Sequence, residues 1–509
     1  MARGKGRALS VSEGMRKGAL RQDPEVKTRS MAQILSVGID IGTSTTQVVF
    51  SRIEMDNTAG YFTAPRIAIT GKEILYKSQV YFTPLKTQTL IDADAVRDIV
   101  AKEFAAAGYT PKDTQTGAVI ITGESARKEN AASVLQALSD FAGEFVVSTA
   151  GPDLESIIAG KGSGAWQYSI DNDCTVVNLD IGGGTSNIVF FNAGDTQGKI
   201  CLDVGGRLIK LEASSYGDPQ IAYISYAAAE AAKLAGVRTE TGQRISRSDL
   251  RRICDVFADC LAGAIGIGPK SALQDRILTP GSDTYSPARP ARRVCFSGGV
   301  ADCIYTESGE DDLRYGDIGP ILGRAIRENR YFKEQKIIQG GETIRATVVG
   351  AGTYTTNLSG STILYSDGIF PVKNVPALTL NRDEQWAVIG GDVPLLAEKV
   401  RWFLEQSDSP RMLLALPGLT DPDFGTLKKL ASAIAKTMDS LLPAGEPIIV
   451  LVQTDIAKAL GIALQQTGCA RRIASIDSVK IEVGDYVDIG RPLMDGLVVP
   501  VVVKTLLFG

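Results

Sequence analysis

The sequence contains no histidine among its 509 residues. This absence excludes a Ser-His-Asp triad, a histidine general base and every metal site that depends on imidazole. Any catalysis therefore rests on carboxylates, hydroxyls, backbone amides, lysines and a hard metal ion. Phosphoryl chemistry with Mg²⁺ suits that set of groups.

Other features are scarce or scattered. The seven cysteines form no C-x-x-C pair, as is typical of reduced thiols in the cytosol. No stretch approaches the roughly 20 apolar residues that a membrane helix needs, and the opening residues carry no apolar run of signal-peptide type. The net charge of −4 argues against a broad nucleic-acid-binding surface. We expect a soluble cytoplasmic protein without nucleic-acid or membrane partners.

Four segments are predicted along the chain. Residues 1–30 are basic and poor in large apolar side chains, so we expect a disordered extension. It is either a targeting or docking arm or the product of an upstream start site, since Met31 directly precedes the first predicted strand. Residues 31–172 and 173–364 each contain a strand, a glycine turn and a return strand. Residues 365–509 alternate strands and helices, which predicts a separate α/β domain.

Two short segments carry the chemistry. They read Asp40-Ile-Gly42-Thr43-Ser44-Thr45 and Asp180-Ile-Gly182-Gly183-Gly184-Thr185. In each, an aspartate ends a predicted strand, glycine lets the backbone approach a ligand closely, and hydroxyl residues follow. Such a turn directs amides and hydroxyls at a polyphosphate, whereas the carboxylate is suited to holding Mg²⁺. One such turn is weak evidence, but two in matching positions predict a nucleotide held between two domains.

The pair of turns resembles the phosphate-1 and phosphate-2 motifs of the actin/Hsp70-like ATPase superfamily. Gly298-Gly299 resembles its adenosine motif, and residues 151–160 and 347–356 stand where its two connecting helices belong. The resemblance implies an α/β fold of two RNase H-like domains around a nucleotide cleft, followed here by a C-terminal α/β domain. It also implies ATP and Mg²⁺ as cofactors.

The same resemblance implies a role for each site residue. Asp40 and Asp180 are the catalytic and metal-holding residues. The nucleotide-binding residues are Gly42, Thr43, Ser44 and Thr45 on one side, Gly182, Gly183, Gly184 and Thr185 on the other, and Gly298 and Gly299 at the adenosine. For each of them the alternative is a purely structural turn or cap.

A narrower resemblance covers residues 34–509. The sequence is similar to the family of ethanolamine ammonia-lyase reactivating proteins, and the stretches that carry this similarity include LSVGIDIGTSTTQVVFSR, VIITGESARKENA, NLDIGGGTSN, LDVGGRL and GDYVDIGRPL. It implies an ATPase that acts like a chaperone on ethanolamine ammonia-lyase, an adenosylcobalamin enzyme, and releases damaged cobalamin. Cobalamin is then handled only through that partner. A homo-oligomer and an association with the ethanolamine-utilisation microcompartment are left open.

Several alternatives remain at this point. Many superfamily members place Gln or Glu at the start of the first connecting helix to position the attacking water. Here Gly151-Pro152 occupies that place, and Glu124, Asp153 and Glu155 are all candidates.

Two other functions fit the same fold. One is a filament-forming protein. The other is a small-molecule kinase, whose acceptor-activating residue would be Asp153, Asp203 or Asp317. Substrate-dependent formation of ADP would separate the kinase from the rest.

Overall fold

A computed structural model describes most of the chain. The described residues are 32–43, 45–58, 67–87, 90–122, 125, 130–138, 147–149, 152–213, 217–280, 282, 285–287, 292–307, 309–354, 357–360, 362–406, 409–481 and 483–505. The expected disordered extension, residues 1–30, lies outside these ranges, as do Ser44 and Glu124.

The first sheet is built around a buried central strand. Its elements are, in chain order, β1 (Ala32–Ile41), β2 (Thr45–Asn57), β3 (Ile67–Lys77), β4 (Tyr81–Phe82), α1 (Ala93–Ala107), β5 (Thr116–Ile121), α2 (Ala131–Leu138) and β6 (Val147–Thr149). The strand order is β3-β2-β1-β5-β6, with β4 beside β2. Strand β1 runs antiparallel to β2 and parallel to β5. Residues 36–41 are all buried, as expected for a strand covered on both faces.

The second sheet repeats this order. Its part of the chain contains α3 (Pro152–Gly162), α4 (Ala165–Asp171), β7 (Thr175–Ile181), β8 (Ser186–Asn192), β9 (Asp195–Leu202), β10 (Ile209–Glu212), β11 (Gln220–Ile224), α5 (Tyr226–Ala235), α6 (Arg247–Ala264), β12 (Arg293–Ser297), α7 (Ala301–Tyr305), α8 (Gly319–Glu328), α9 (Arg330–Lys333), β13 (Lys336–Ile338) and α10 (Ala346–Tyr354). Its order, β9-β8-β7-β12-β13, matches the first sheet strand for strand. Again the central strand is antiparallel to its return strand and parallel to the next one. The duplicated order confirms the predicted actin/Hsp70-like fold.

The C-terminal part has a sheet of its own. Its elements are β14 (Asn357–Leu358), β15 (Leu364–Tyr365), β16 (Val372–Thr379), α11 (Arg382–Ile389), α12 (Val393–Gln406), β17 (Leu413–Leu416), α13 (Phe424–Leu441), β18 (Ile448–Val452), α14 (Ala457–Gln465), β19 (Ile473–Asp477), β20 (Asp485–Ile489) and β21 (Pro500–Thr505). Strands β16 to β19 are parallel neighbours separated in the chain by helices, which confirms the predicted α/β character. The predicted boundary of the C-terminal segment is residue 365. Strand β14 lies before it and β15 ends at it, yet both strands belong to this sheet.

Helices α3 and α10 link the first two sheets by crossing between them. Helix α3 packs on the second sheet and α10 packs on the first. They approach so closely that a Cβ added to Gly162 would lie 1.8 Å from the Ala346 carbonyl oxygen, and one on Gly350 would lie 2.0 Å from that of Ile158. Only glycine permits this approach. The crossing therefore sets how the two halves face each other.

Candidate functional site

The two predicted turns have the same backbone closure. The Gly42 amide donates to the Thr45 carbonyl at 2.8 Å, and the Gly182 amide donates to the Thr185 carbonyl at 2.9 Å. In both hairpins the aspartate stands two residues before the glycine, at the end of the central strand. In each hairpin, the strand that follows the turn pairs antiparallel with the central strand. Ser44 of the first turn lies outside the described residues.

Each aspartate accepts a hydrogen bond from the neighbouring parallel strand. The Thr122 hydroxyl, just after β5, donates to Asp40 Oδ1 at 3.0 Å. The Ser297 hydroxyl, at the end of β12, donates to Asp180 Oδ1 at 2.6 Å. The sequence reasoning missed both hydroxyls. The available signal is a hydroxyl residue at the end of a short apolar run; each run forms a strand parallel to the one that carries the aspartate, and the carboxyl ends of parallel strands share one edge of a sheet.

Burial perturbs both carboxyl groups. Asp40 is 7% exposed and Asp180 is 5% exposed. Burial raises the pKa of Asp40 to about 7; the Thr122 hydrogen bond opposes this rise, and the negative charge of Asp180 adds to it. Burial likewise raises the pKa of Asp180 to about 6, against the Ser297 hydrogen bond. The effect of the Asp180 charge on the pKa of Asp40 indicates that the two carboxyl groups lie near each other.

A cation would compensate this buried negative charge. Among the residues that the structure describes, neither aspartate forms an ion pair with lysine or arginine. The same residues contain no group of three or more His, Cys, Asp or Glu side chains able to hold a metal. A pair of carboxylates such as Asp40 and Asp180 suits an ion such as Mg²⁺ that keeps several waters and binds phosphate oxygens.

The second turn is held in place by backbone groups. The Gly206 amide donates to the Gly182 carbonyl at 3.0 Å, and the Arg207 amide donates to the Gly183 carbonyl at 2.7 Å. A Cβ on Gly205 would lie 2.4 Å from the Gly183 oxygen. The loop after β9 is thus packed directly against the turn. Thr185 is buried at 8% exposure, whereas residues 182–184 are half-buried.

The predicted adenosine glycines lie beside the same turn and differ from each other. Gly298 has a positive φ of 85°, and a Cβ there would lie 2.4 Å from the Ile181 carbonyl oxygen. That oxygen also accepts a hydrogen bond from the Val300 amide at 3.1 Å. Gly299 has no atom within 4 Å of an added Cβ. Gly298 therefore serves the turn itself, while Gly299 faces open space.

Several carboxylates were candidates for positioning the attacking water or for activating an acceptor, and their surroundings differ. Glu155 is buried in α3. Asp203 accepts a hydrogen bond from the Thr279 hydroxyl at 2.7 Å. Asp317 is buried, accepts from the Arg207 Nε at 3.3 Å, and accepts from the Gly319 amide at 2.9 Å. Glu124 and the side chain of Asp153 lie outside the described part.

Comparison with known proteins places residues 32–509 in one family. The profile of the family described as "Ethanolamine utilisation protein EutA" matches residues 32–509. The chain belongs to the EutA family. This EutA-family chain is 37% identical over 486 residues to the ethanolamine ammonia-lyase reactivase EutA of Salmonella typhimurium, with 94% of this chain and 99% of that protein covered. The protein of the same name in Escherichia coli is 36% identical over 482 residues, with the same coverage.

Similarity to solved structures is more distant. A Ppx/GppA enzyme of Aquifex aeolicus has a TM-score of 0.39 at 12% identity, with 63% of this EutA-family chain and 99% of the enzyme covered. The ethanolamine utilization protein EutJ of Carboxydothermus hydrogenoformans has a TM-score of 0.32 at 15% identity, with 63% and 89% covered. Likenesses at this level add nothing to the fold described above.

Within the described residues, no helix is long and apolar enough to cross a membrane.

Proposed function

We propose that this EutA-family chain is an ATP-dependent reactivating factor for ethanolamine ammonia-lyase. It would loosen the inactivated lyase so that damaged cobalamin leaves and intact adenosylcobalamin enters. The observation that carries the proposal is the similarity, over 94% of the chain, to relatives named ethanolamine ammonia-lyase reactivases. The same similarity supports a location in the cytoplasm together with that lyase. The two matched turns supply the chemistry that an ATP-dependent factor needs.

Asp40 and Asp180 are the residues that would hold Mg²⁺. Both are buried carboxylates whose pKa is raised by burial, so a cation between them would restore their charged form. Bound there, Mg²⁺ would neutralise and orient the phosphates. Thr122 and Ser297 keep the two carboxylates in place through their hydroxyls.

The turns would hold the phosphates from two sides. The candidate donors are the backbone amides of residues 183–185 and the hydroxyls of Thr43, Thr45 and Thr185, whereas the Gly42 and Gly182 amides already donate within their own turns. Gly299, which faces open space beside the second turn, would leave room for the adenosine. A nucleotide bound this way touches both halves and therefore favours the closed arrangement.

Contacts between the halves would change as the cleft opens. The Arg207 guanidinium of the second half lies 5.2 Å from the ring centroid of Phe82 in the first. The Lys77 ammonium pairs with the Glu342 carboxylate at 2.5 Å. Exposed contacts of this kind are individually weak. They can therefore break and re-form as nucleotide binds and leaves, about the crossing of α3 and α10.

A reactivation assay tests the proposal. Ethanolamine ammonia-lyase is inactivated with cyanocobalamin, then incubated with this chain, ATP, Mg²⁺ and fresh adenosylcobalamin, and acetaldehyde release is followed. We expect recovery that requires ATP and that Asp180→Asn abolishes. Asp195→Asn, an exposed aspartate of the same half, is the matched control and should retain recovery. Absence of recovery with ATPase activity intact would rule out the proposal and direct attention to a filament or kinase assay.

A further inference from the structure

Three oxygen-bearing side chains outside the nucleotide turns meet in the C-terminal part, beside its sheet. Asp477 ends β19, Asp455 lies in the loop between β18 and α14, and Thr362 precedes β15. The Thr362 hydroxyl lies within hydrogen-bond distance of both Asp455 Oδ1 and Asp477 Oδ2. Neither the family resemblance nor the proposed function uses this cluster.

The cluster has one proton too few for its contacts. A threonine hydroxyl carries a single hydrogen and can donate to only one carboxylate at a time. The second contact then brings two oxygen lone pairs together without a hydrogen between them. A proton or a metal ion placed among the three oxygens would relieve the repulsion at that contact.

A second observation points to a ligand. Asp477 is 1% exposed, and its other carboxylate oxygen, Oδ1, is buried and has no hydrogen-bond partner among the described residues. The Ser475 hydroxyl, two residues earlier on the same face of β19, is also buried and unpartnered. Buried polar atoms nearly always have partners. The orphaned Oδ1 atom therefore marks a place where an additional group is expected.

The backbone leaves space only for glycine beside this carboxylate. A Cβ added to Gly360 would lie 2.4 Å from Asp477 Oδ1. The Gly360 amide donates to the Asp477 carbonyl at 3.3 Å. Gly360, which follows β14, thus lies against Asp477, and a side chain at residue 360 would displace the carboxylate.

We propose that Asp455, Asp477 and Thr362 form a binding site for a hard divalent cation of the Mg²⁺ type. In the described part of the chain, no lysine or arginine forms an ion pair with either carboxylate, so the negative charge is not compensated by the protein. Three oxygen ligands, with water on the side where Asp455 is exposed, match the preference of Mg²⁺ for one or two carboxylates and retained waters. A bound cation would fasten Thr362 to the β18–α14 loop.

The test counts bound cations in a chain whose other candidate metal site is disabled. In the nucleotide-free full-length Asp40→Asn, Asp180→Asn double variant, Mn²⁺ is the probe, since it favours the same oxygen ligands and its free form is counted by electron paramagnetic resonance. We expect about one bound Mn²⁺ per chain, displaced by Mg²⁺. Adding Asp455→Asn should weaken binding at least about tenfold, because losing even an outer-shell partner commonly costs 10- to 100-fold.

The choice of variants keeps the result decisive. Asp455 is exposed, so its substitution leaves the core intact, and circular dichroism verifies the fold. Asp421→Asn, at an exposed aspartate of the same C-terminal part, is the control and should bind Mn²⁺ as the double variant does. Equal affinity in the Asp455→Asn variant would overturn the proposal. So would the absence of bound Mn²⁺, the result expected if the two carboxylates share a proton instead.

Discussion

The two nucleotide turns share a backbone closure but are held in different ways. In the first turn, the Gly42 carbonyl accepts hydrogen bonds from the Thr83 and Ser125 hydroxyls at 2.8 and 3.0 Å. In the second, the carbonyls of Gly182 and Gly183 accept from backbone amides. A side-chain donor can rotate away by itself, whereas a backbone donor moves only with its loop. The first turn is therefore the more adjustable and the second the more rigid of the two.

The two aspartates differ as well. The pKa of Asp40 is raised further than that of Asp180, to about 7 against about 6. The hydrogen bond to Asp180 is also the shorter, at 2.6 Å against 3.0 Å. A short hydrogen bond to a carboxylate stabilises its charged form. Asp180 is thus the better prepared of the two to be charged before a cation arrives.

The largest expected effect is on nucleotide turnover. Asp180→Asn and Asp40→Asn should each reduce Mg²⁺-dependent ATP hydrolysis by roughly 100-fold or more, because each removes a charge that would position the metal and the phosphates. Steady-state ADP release measures the loss, and Asp195→Asn is the control. Full activity in either variant would remove that aspartate from the site.

The next effect is on stability as a function of pH. A carboxyl whose folded pKa is raised binds its proton more tightly in the folded state, so stability falls as pH rises from about 4 towards that folded pKa. For Asp40 the window ends near pH 7 and for Asp180 near pH 6. At about 1.4 kcal/mol per pKa unit, metal-free Asp40→Asn should be more stable than wild type at pH 7.5 by up to about 4 kcal/mol.

Urea unfolding at several pH values measures this difference. The Asn variants should converge on wild type near pH 4, and the gain from Asp180→Asn should be the smaller. Mg²⁺ with nucleotide should narrow the gap, because a bound cation favours the charged carboxylates. A pH-independent difference between Asp40→Asn and wild type would contradict the assigned pKa shift.

A smaller loss of stability is expected at the adenosine glycines. Gly298→Ala forces a side chain into a left-handed backbone and against the Ile181 carbonyl oxygen, which should cost about 1–3 kcal/mol. Gly299→Ala, with open space around the added Cβ, should leave stability unchanged and is the matched control. Thermal or urea unfolding compares the stability of the two variants. Equal losses of stability would mean that the close contact at Gly298 has no cost of its own.

The smallest effects should separate the two supporting hydroxyls. Ser297→Ala and Thr122→Val each remove one hydrogen bond to a carboxylate and leave the carboxylate itself in place. We expect a higher Mg²⁺ requirement for ATP hydrolysis in both, with the larger increase for Ser297→Ala, whose bond is shorter. The pH profile should shift towards higher pH, because the aspartate pKa rises. A larger increase in the Mg²⁺ requirement for Thr122→Val would contradict the expectation that the shorter Ser297–Asp180 hydrogen bond matters more.

Much of the architecture could be predicted because its signals are local. Helix α13 is an example of a predicted alternation of strands and helices: apolar residues recur at helical spacing after Asp423, which caps the helix. The strands around both turns were likewise marked by short apolar runs that end in Asp and Gly. The connecting helices α3 and α10 were placed by the order of motifs along the chain. The roles of the twelve predicted site residues stay predictions.

The sequence by itself determined the two turns, their aspartates and the alternation of strands and helices, because each depends on neighbours a few residues away. Only the tertiary structure decided what surrounds those aspartates. Thr122 lies 82 residues from Asp40 and Ser297 lies 117 from Asp180. The meeting of Thr362 with Asp455 and Asp477 spans similar distances. Such pairings follow from strand order and helix crossing, which set burial, charge interaction and pKa, and no local pattern of residues encodes them.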